Sequence, residues 1–247
     1  MQERIWDKYL TPSDRKHVEA YPRTPVGFGA KPALLMVDLY RAVFGDKPEP
    51  LMEAVKTWPS SCGMAGWNAL PHIEKLLAAA RAAKIPVVHI TMLAGSGMLS
   101  WSDAAHRDTL VAPGKPLDAA GLDRKRRSAE IIDELVPIDG EIVLRKTAPS
   151  SFWGTPLAGH LTYLGVDSLI VAGESTSGCV RASVVEAVAH RYRVQVVEEC
   201  VFDRHEATHA LNLFDMHQKY ADVIPLEEAL QYIATKAPQK AKLTAAA

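Results

Sequence analysis

Three side chains of this 247-residue chain could perform nucleophilic chemistry together, and a cysteine is the first of them. Cys179 follows the apolar run Leu169–Gly173 and the turn-forming segment 174–178, and it is predicted to open a helix. The helix dipole and the unpaired N–H groups of a first turn favour thiolate, and the same N–H groups can hold an oxyanion. From position alone, a buried structural cysteine is an equally good interpretation.

Asp38 and Lys146 are the candidate partners of that thiol. Asp38 ends the apolar run Ala33–Asp38, and Lys146 follows the run Glu141–Arg145. An acid and an ammonium that end different strands of one parallel sheet meet at the same edge. There the acid can take the thiol proton, and the ammonium can stabilise charge on the acid and on the sulfur. The alternative interpretations are a turn-forming carboxylate and a solvated strand end.

Two other motifs compete with this interpretation. The segment His205–His209 reads H-E-x-x-H, a pattern that binds zinc on a helix. Such a short match arises easily by chance, no third ligand follows in a convincing context, and the surrounding elements do not fit that class of protease. We therefore predict no metal and no cofactor. The segment 173–177 is a near miss of the serine motif G-x-S-x-G, because Ser177 stands at its fifth position, so Cys179 is the better nucleophile candidate.

The elements that must position these residues alternate along the chain. Short apolar runs typical of buried strands are Ala33–Asp38, Ile85–Met92, Glu141–Arg145, Leu169–Gly173, Val194–Glu198 and, more weakly, Asp222–Pro225. Helical spacing falls at Leu70–Ala83, Arg127–Leu135, Pro156–Leu164, Cys179–Tyr192, His205–Tyr220 and Leu226–Ile233. This alternation predicts an α/β fold, with a parallel sheet covered by helices on both faces. The long connections Leu39–Asn68 and Leu93–Gly121 are expected at the carboxyl ends of strands, where such sheets bind ligands.

Composition narrows the class of partner. The chain is 48% hydrophobic and 23% charged, with a net charge of −1, so it can bury a sizeable core and has no bias toward nucleic acid or anionic membrane. We expect a small molecule as partner, no nucleic acid and no membrane. The start does not resemble a signal peptide, and three scattered cysteines do not form a disulfide framework, so we expect a soluble cytoplasmic protein with free thiols.

At these residues the sequence resembles the isochorismatase-like cysteine hydrolases, and within them the N-carbamoylsarcosine amidase and maleamate amidase branch. The landmarks occur in the family's order: LLMVDLYRAVF with Asp38, LRKTAPSSFWGTPL with Lys146, and VAGESTSGCVRASVVEA with Cys179. The later segments EECVFDR and NLFDMHQKYADVI match the amidase branch. The resemblance runs from about Pro32 to Leu226. With the polar, proline-containing start, expected to form an arm over the core or over a neighbouring subunit, we divide the chain into an N-terminal arm (1–32), a hydrolase domain (33–235) and a frayed tail (236–247).

The resemblance implies a three-layer Rossmann-like sheet of about six strands, a homo-oligomer (dimer or tetramer) and a triad of Cys179, Asp38 and Lys146. It also implies a cis peptide bond between Glu174 and Ser175, with the N–H groups of Ser175 and Cys179 as an oxyanion hole. Arg204 matches the arginine that binds the substrate's carboxylate. Glu174 departs from the branch, where this position is usually small, and is expected to line or brace the pocket.

The expected function is that of a cysteine-dependent amidohydrolase that cleaves a C–N bond of a small amide or ureido compound and releases ammonia. Candidate substrates are an N-carbamoyl amino acid such as N-carbamoylsarcosine, a ureide such as biuret or triuret, and maleamate. The first is slightly favoured over a neutral polyureide. The alternatives are a zinc-dependent nicotinamidase-type hydrolase and a non-catalytic ligand-binding or redox-sensing module with a reactive thiol. A purely structural Arg204, paired with Asp203 or Glu206, is also possible.

Overall fold

A computed structural model describes residues 4–93 and 118–237, and its centre is a six-stranded sheet in which every neighbouring pair is parallel. The strands are β1 (Pro32–Val37), β2 (Val87–Met92), β3 (Ile142–Lys146), β4 (Ser168–Glu174), β5 (Arg193–Phe202) and β6 (Asp222–Ile224), in the order β3-β2-β1-β4-β5-β6. The described residues also form nine α-helices: α1 (Pro12–Ala20), α2 (Arg41–Phe44), α3 (Leu51–Thr57), α4 (Met64–Ala82), α5 (Ala119–Arg127), α6 (Leu157–Tyr163), α7 (Arg181–Ala189), α8 (Glu206–Lys219) and α9 (Leu226–Ala234).

The central strand β1 is buried on both faces, and its alternating side chains divide the core into two layers. Leu34 and Met36 pack with residues of α4 and α9, whereas Leu35 and Val37 pack with residues of α6, α7 and α8. A strand buried on both faces reads as a continuous apolar run, which explains why the pattern identified it. The predicted three-layer α/β fold with a six-stranded parallel sheet is confirmed.

The strand order places a topological switch between β1 and β4. The chain proceeds from β1 outward to β2 and β3, and then returns to pair β4 with the other side of β1. Open α/β sheets bind ligands at the carboxyl ends of the strands that flank such a switch. Asp38 follows β1 and Ser175 follows β4, so both lie at this position.

One predicted helix, Arg127–Leu135, is wrong. The helix of this region, α5, ends at Arg127, and the following residues pair with the chain beyond β1. Tyr40 and Ile131 form an antiparallel bridge, and the backbone N–H of Arg41 donates to the carbonyl of Glu130 at 2.8 Å. The apolar residues of this segment are therefore buried from a turn, a short extended stretch and a 3-10 helix (Asp133–Leu135), and the extended stretch satisfies polar groups near the start of α2.

The N-terminal arm lies on the chain's own core. Trp6 is buried, with its ring centroid 6.1 Å from that of Phe214 and 5.4 Å from that of His217, both on α8. The division into arm (1–32), domain (33–235) and tail (236–247) stays a prediction. Residues 238–247 of the tail and 94–117 of the second long connection lie outside the described residues. Within the described ranges, no helix is long and apolar enough to span a membrane. All three cysteines are free.

Gly173 allows the backbones of β4 and β1 to approach closely beside the switch. It has φ of 130°, and a Cβ at this position would collide with the carbonyl oxygen of its partner Val37 and lie 2.7 Å from the carbonyl carbon. Both obstacles are backbone atoms of a buried central strand, which cannot rotate away.

Replacing Gly173 with alanine should therefore lower the free energy of unfolding by about 3 kcal/mol or more, measured by urea denaturation. Gly159 is the matched control, because an added Cβ there meets no atom within 4 Å. Gly159→Ala on α6 should be neutral or stabilising by up to about 1 kcal/mol. A Gly173→Ala protein within about 1 kcal/mol of the parent would contradict this view of the sheet.

Candidate active site

Asp38 is fully buried at the end of β1. Its φ of 54° lies in the left-handed region, which aspartate tolerates better than most residues. Its backbone N–H still donates to the carbonyl of Ile90 on β2 at 3.0 Å. The residue is therefore anchored by the sheet while its backbone turns out of the strand.

Lys146 reaches both of the other candidate catalytic side chains. Its Nζ lies 2.8 Å from Oδ2 of Asp38 and 3.1 Å from Sγ of Cys179, and it also donates to the carbonyl of Ala148 at 3.1 Å. The Asp38 carboxylate is also close enough to the Cys179 thiol to raise its pKa. The structure thus brings together the acid, the ammonium and the thiol that the sequence placed on three different elements.

Cys179 lies in a π-helical turn, Thr176–Val180, that connects β4 to α7. This differs from the prediction that Cys179 opens an α-helix. Single π-helical turns occur frequently at functional sites. A Cβ at Gly178 would lie 2.5 Å from Oγ of Ser175, so that hydroxyl would have to rotate away. The turn places the sulfur beside Nζ of Lys146, and Cys179 itself lies two residues before the start of α7.

The electrostatics of the three groups favour a protonated thiol. Burial raises the pKa of Cys179 to about 12, and the Asp38 carboxylate adds to the rise while Lys146 opposes it. Burial also raises the pKa of Asp38 against the opposing effect of Lys146. For Lys146, burial lowers the pKa, but Asp38 and Cys179 outweigh it, so the net shift is upward. Burial and the Asp38 carboxylate thus oppose the effects of a helix start that favour thiolate, and the thiol becomes nucleophilic as its proton is removed.

Two residues that the sequence did not assign to the site form hydrogen bonds with the turn Thr176–Val180. Asp203 accepts hydrogen bonds from the N–H and the Oγ of Ser177 at 2.9 and 2.6 Å. His209 on α8 shares a hydrogen bond of 2.7 Å between its Nδ1 and Oγ1 of Thr176. Both residues lie in the segment after β5. Their contacts with the turn span more than 25 residues and leave no local sequence signal.

Two of the three H-E-x-x-H side chains, His209 and Glu206, have partners of their own. Glu206 pairs with Lys8 of the N-terminal arm, and His205 is an exposed residue at the start of α8. In residues 4–93 and 118–237, no group of three or more His, Cys, Asp or Glu side chains is arranged to hold a metal ion. The interpretation of this motif as coincidental stays a prediction.

The triad faces a cavity of about 590 Å³. Its wall includes Lys146, Ser175, Cys179, Ser60 and Arg204. The bond between Glu174 and Ser175 is cis, as the resemblance implied. Among the described residues, the N–H of Ser175 has no hydrogen-bond acceptor. This N–H is thus available to a bound molecule.

Glu174 and Arg204 form a second polar pair on the cavity wall. Arg204 Nη2 lies 3.4 Å from Oε1 of Glu174 and donates to the carbonyl of Ser60. Sγ of Cys62 lies 3.5 Å from the same carboxylate oxygen. Burial raises the pKa of Glu174 to about 7, although Arg204 opposes the rise. The side chain of Arg204 thus pairs with Glu174.

That pairing differs from the structural alternative considered for Arg204. Asp203 accepts from the backbone N–H of Arg204 at 2.8 Å, not from the guanidinium, and Glu206 is paired with Lys8. The guanidinium is consequently directed to the cavity wall and not to the two acids next to it in sequence.

A buried acid, ammonium and thiol lie around a cavity at the switch point of a three-layer α/β sheet, an arrangement typical of a hydrolase with a nucleophilic cysteine. The isochorismatase domain model matches residues 32–228, and the chain belongs to the isochorismatase family. It is 36% identical over 214 residues to maleamate amidohydrolase of Pseudomonas putida, covering 84% of this chain and 89% of that protein.

Other relatives support the assignment. The chain is 32% identical over 217 residues to N-carbamoylsarcosine amidase of an Arthrobacter species, covering 84% of this chain and 73% of that protein. The solved structure of an isochorismatase family protein from Desulfovibrio vulgaris superposes with a TM-score of 0.63 at 28% identity, covering 83% of this chain and all of that one. The resemblance stated from the sequence is confirmed, and the chain is an amidohydrolase of this family, an enzyme that acts on amide C–N bonds.

The charge of Asp38 can be tested through the reactivity of the thiol. Because the carboxylate raises the pKa of Cys179 and Lys146 lowers it, Asp38→Asn should lower that pKa and increase alkylation of Cys179 by iodoacetamide at pH 7.5 by about tenfold or more. Peptide mass spectrometry measures the rate at Cys179 alone. Lys146→Met should slow the same reaction. If Asp38→Asn alkylates more slowly than the parent, the carboxylate does not raise the pKa of the thiol.

Proposed function

We propose that the protein hydrolyses a small amide or ureido compound through a covalent thioester on Cys179, with Asp38 as the proton carrier and Lys146 as the stabilising cation. The observation that carries the proposal is the position of the Lys146 ammonium, 2.8 Å from the Asp38 carboxylate and 3.1 Å from the Cys179 sulfur. Burying two charges this deeply costs desolvation free energy, so a buried ion pair of this kind is more typical of a functional site than of a stabilising contact.

Acylation begins with transfer of the thiol proton to Asp38 while the sulfur attacks the amide carbon. The N–H groups of Ser175 and Cys179 stabilise the negative charge on the former carbonyl oxygen. Asp38 then gives its proton to the departing nitrogen, and ammonia leaves a thioester on Cys179. The raised pKa of the thiol supports this order, because proton transfer and attack are then coupled.

Deacylation runs through the same groups. Asp38 removes a proton from water, the hydroxide attacks the thioester carbon, and the proton returns to the sulfur as the acid departs. When the substrate is a ureide, that acid is a carbamic acid, which breaks down to carbon dioxide and an amine. Lys146 stays protonated throughout, consistent with its raised pKa.

The substrate is a compact molecule with a terminal carboxamide or carbamoyl group. The relatives named above are a maleamate amidohydrolase and an N-carbamoylsarcosine amidase, which supports a small substrate of this kind. Arg204, on the cavity wall, is placed to bind the part of the substrate remote from the scissile bond. The planar fork of a guanidinium can bind a carboxylate or two carbonyl oxygens.

The non-catalytic alternative, a redox-sensing thiol, fits the site less well. Sensor cysteines combine a low pKa with exposure, whereas the pKa of Cys179 is raised to about 12 by burial. A cytoplasmic location and a homo-oligomer, dimer or tetramer, stay predictions from the sequence.

Replacing Cys179 with alanine should abolish ammonia release from small amides and ureides while leaving the far-ultraviolet circular dichroism unchanged. Asp38→Asn should reduce kcat by several orders of magnitude, because Asp38 is the acid whose charge acts on the thiol among the described residues. Cys200→Ala is the matched control, since Cys200 is buried in the core layer of α4 and α9 and should be dispensable for turnover. Retention of more than a tenth of the activity by Cys179→Ala would refute the mechanism.

Exhaustive chelation should leave activity unchanged, because His209 and Glu206 are engaged with Thr176 and Lys8. Ammonia release is measured before and after EDTA treatment, together with elemental analysis for zinc. Loss of activity with EDTA, recovery with zinc and stoichiometric metal would instead favour the zinc-dependent alternative.

A further inference from the structure

Every cation on the described part of the cavity wall is paired with a carboxylate of its own. Lys146 pairs with Asp38, and Arg181 pairs with Asp215 through two hydrogen bonds of 3.1 and 2.8 Å. Arg204 pairs with Glu174, with Nη2 of the arginine 3.4 Å from Oε1 of the glutamate. The wall formed by these residues therefore offers directed hydrogen-bond donors without an excess of positive charge.

Glu174 is the member of this series that pairs with Arg204, the residue to which the proposed function assigns the remote end of the substrate. It lines the cavity beside Ser175, with only 5% of its surface exposed, and shares the wall with Arg204. A substrate carboxylate held by Arg204 would lie within a few ångströms of the Glu174 carboxylate. Above a pH of about 7, where Glu174 is ionised, two like charges in this poorly solvated site repel strongly, so such a complex would be weak.

A neutral urea-type chain has the complementary chemistry. Its carbonyl oxygens accept hydrogen bonds from the guanidinium of Arg204, and its N–H groups donate to the carboxylate of Glu174. The unused lone pairs of Glu174 and the unused donors of Arg204 are then both satisfied. A carboxylate offers only acceptors, so it adds no donor for the unused lone pairs of Glu174.

We propose that the juxtaposed Glu174 and Arg204 make this amidohydrolase selective for neutral ureides over substrates that carry a carboxylate, with Glu174 as the residue that determines this specificity. The inference rests on the proposed function and refines its substrate class. It reverses the slight preference for an N-carbamoyl amino acid drawn from the sequence, because that preference did not include the pairing of Arg204.

The first experiment compares kcat/KM for biuret, which is neutral, with kcat/KM for maleamate and N-carbamoylsarcosine, which carry a carboxylate. The parent enzyme should prefer biuret at least about tenfold. Glu174→Gln keeps the shape but removes the charge, and should shift the ratio toward the carboxylates by about tenfold or more. Glu227→Gln, an exposed residue of α9 away from the cavity, makes the same change in net charge and should not alter the ratio.

A parent enzyme that prefers either carboxylate substrate overturns the inference, even if Glu174→Gln does not fold. An unchanged ratio in a folded Glu174→Gln enzyme overturns it as well. To separate this from failure of the proposed function, binding of the same compounds to Cys179→Ala is measured by calorimetry. Selective binding of biuret without turnover by the parent supports the inference and refutes the proposed chemistry. Tighter binding of the carboxylates, or binding of none of the three compounds, refutes the inference itself.

Discussion

The ion pair between Lys146 and Asp38 is the interaction on which the site depends. Both groups are buried, and their Nζ and Oδ2 atoms are 2.8 Å apart. A buried ion pair of this kind contributes little to stability, since desolvation of the two charges offsets most of their attraction. The pair acts instead on the pKa of the Cys179 thiol, which the carboxylate raises and the ammonium lowers. Loss of either partner would leave the other as an uncompensated buried charge.

The arrangement of the strands brings these three side chains together. Asp38 and Lys146 end strands β1 and β3, which are separated by β2, and the turn after β4 supplies Cys179 from the other side of β1. At Gly173 the backbone of β4 lies close against that of β1, one residue before β4 ends and the turn begins. Hydrogen bonds from Ser177 to Asp203, and between Thr176 and His209, then fix the turn. The geometry of the site is therefore set by backbone positions at one edge of the sheet.

The sequence predicted the parts of this arrangement that follow from local pattern. The buried strands are apolar runs, and Asp38, Lys146 and Cys179 stand out because reactive side chains end or follow such runs. The helix predicted at Arg127–Leu135 failed because pairing with residues 39–42 overrides its helical spacing. The pairs Arg181–Asp215 and Arg204–Glu174 join distant segments and have no local signature. The raised pKa of Cys179 depends on burial and on neighbouring charges, which only the assembled fold defines.

The central claim is that hydrolysis proceeds through a thioester on Cys179, and trapping with hydroxylamine tests it most directly. Hydroxylamine competes with water for an acyl enzyme and converts it into a hydroxamate, or into a hydroxyurea when the substrate is a ureide. With any small amide or ureide that the enzyme hydrolyses, the trapped product should increase with hydroxylamine at the expense of the acid. Cys179→Ala should form none. Full ammonia release with no trapped product at saturating hydroxylamine would show that water attacks the substrate directly and would contradict the account.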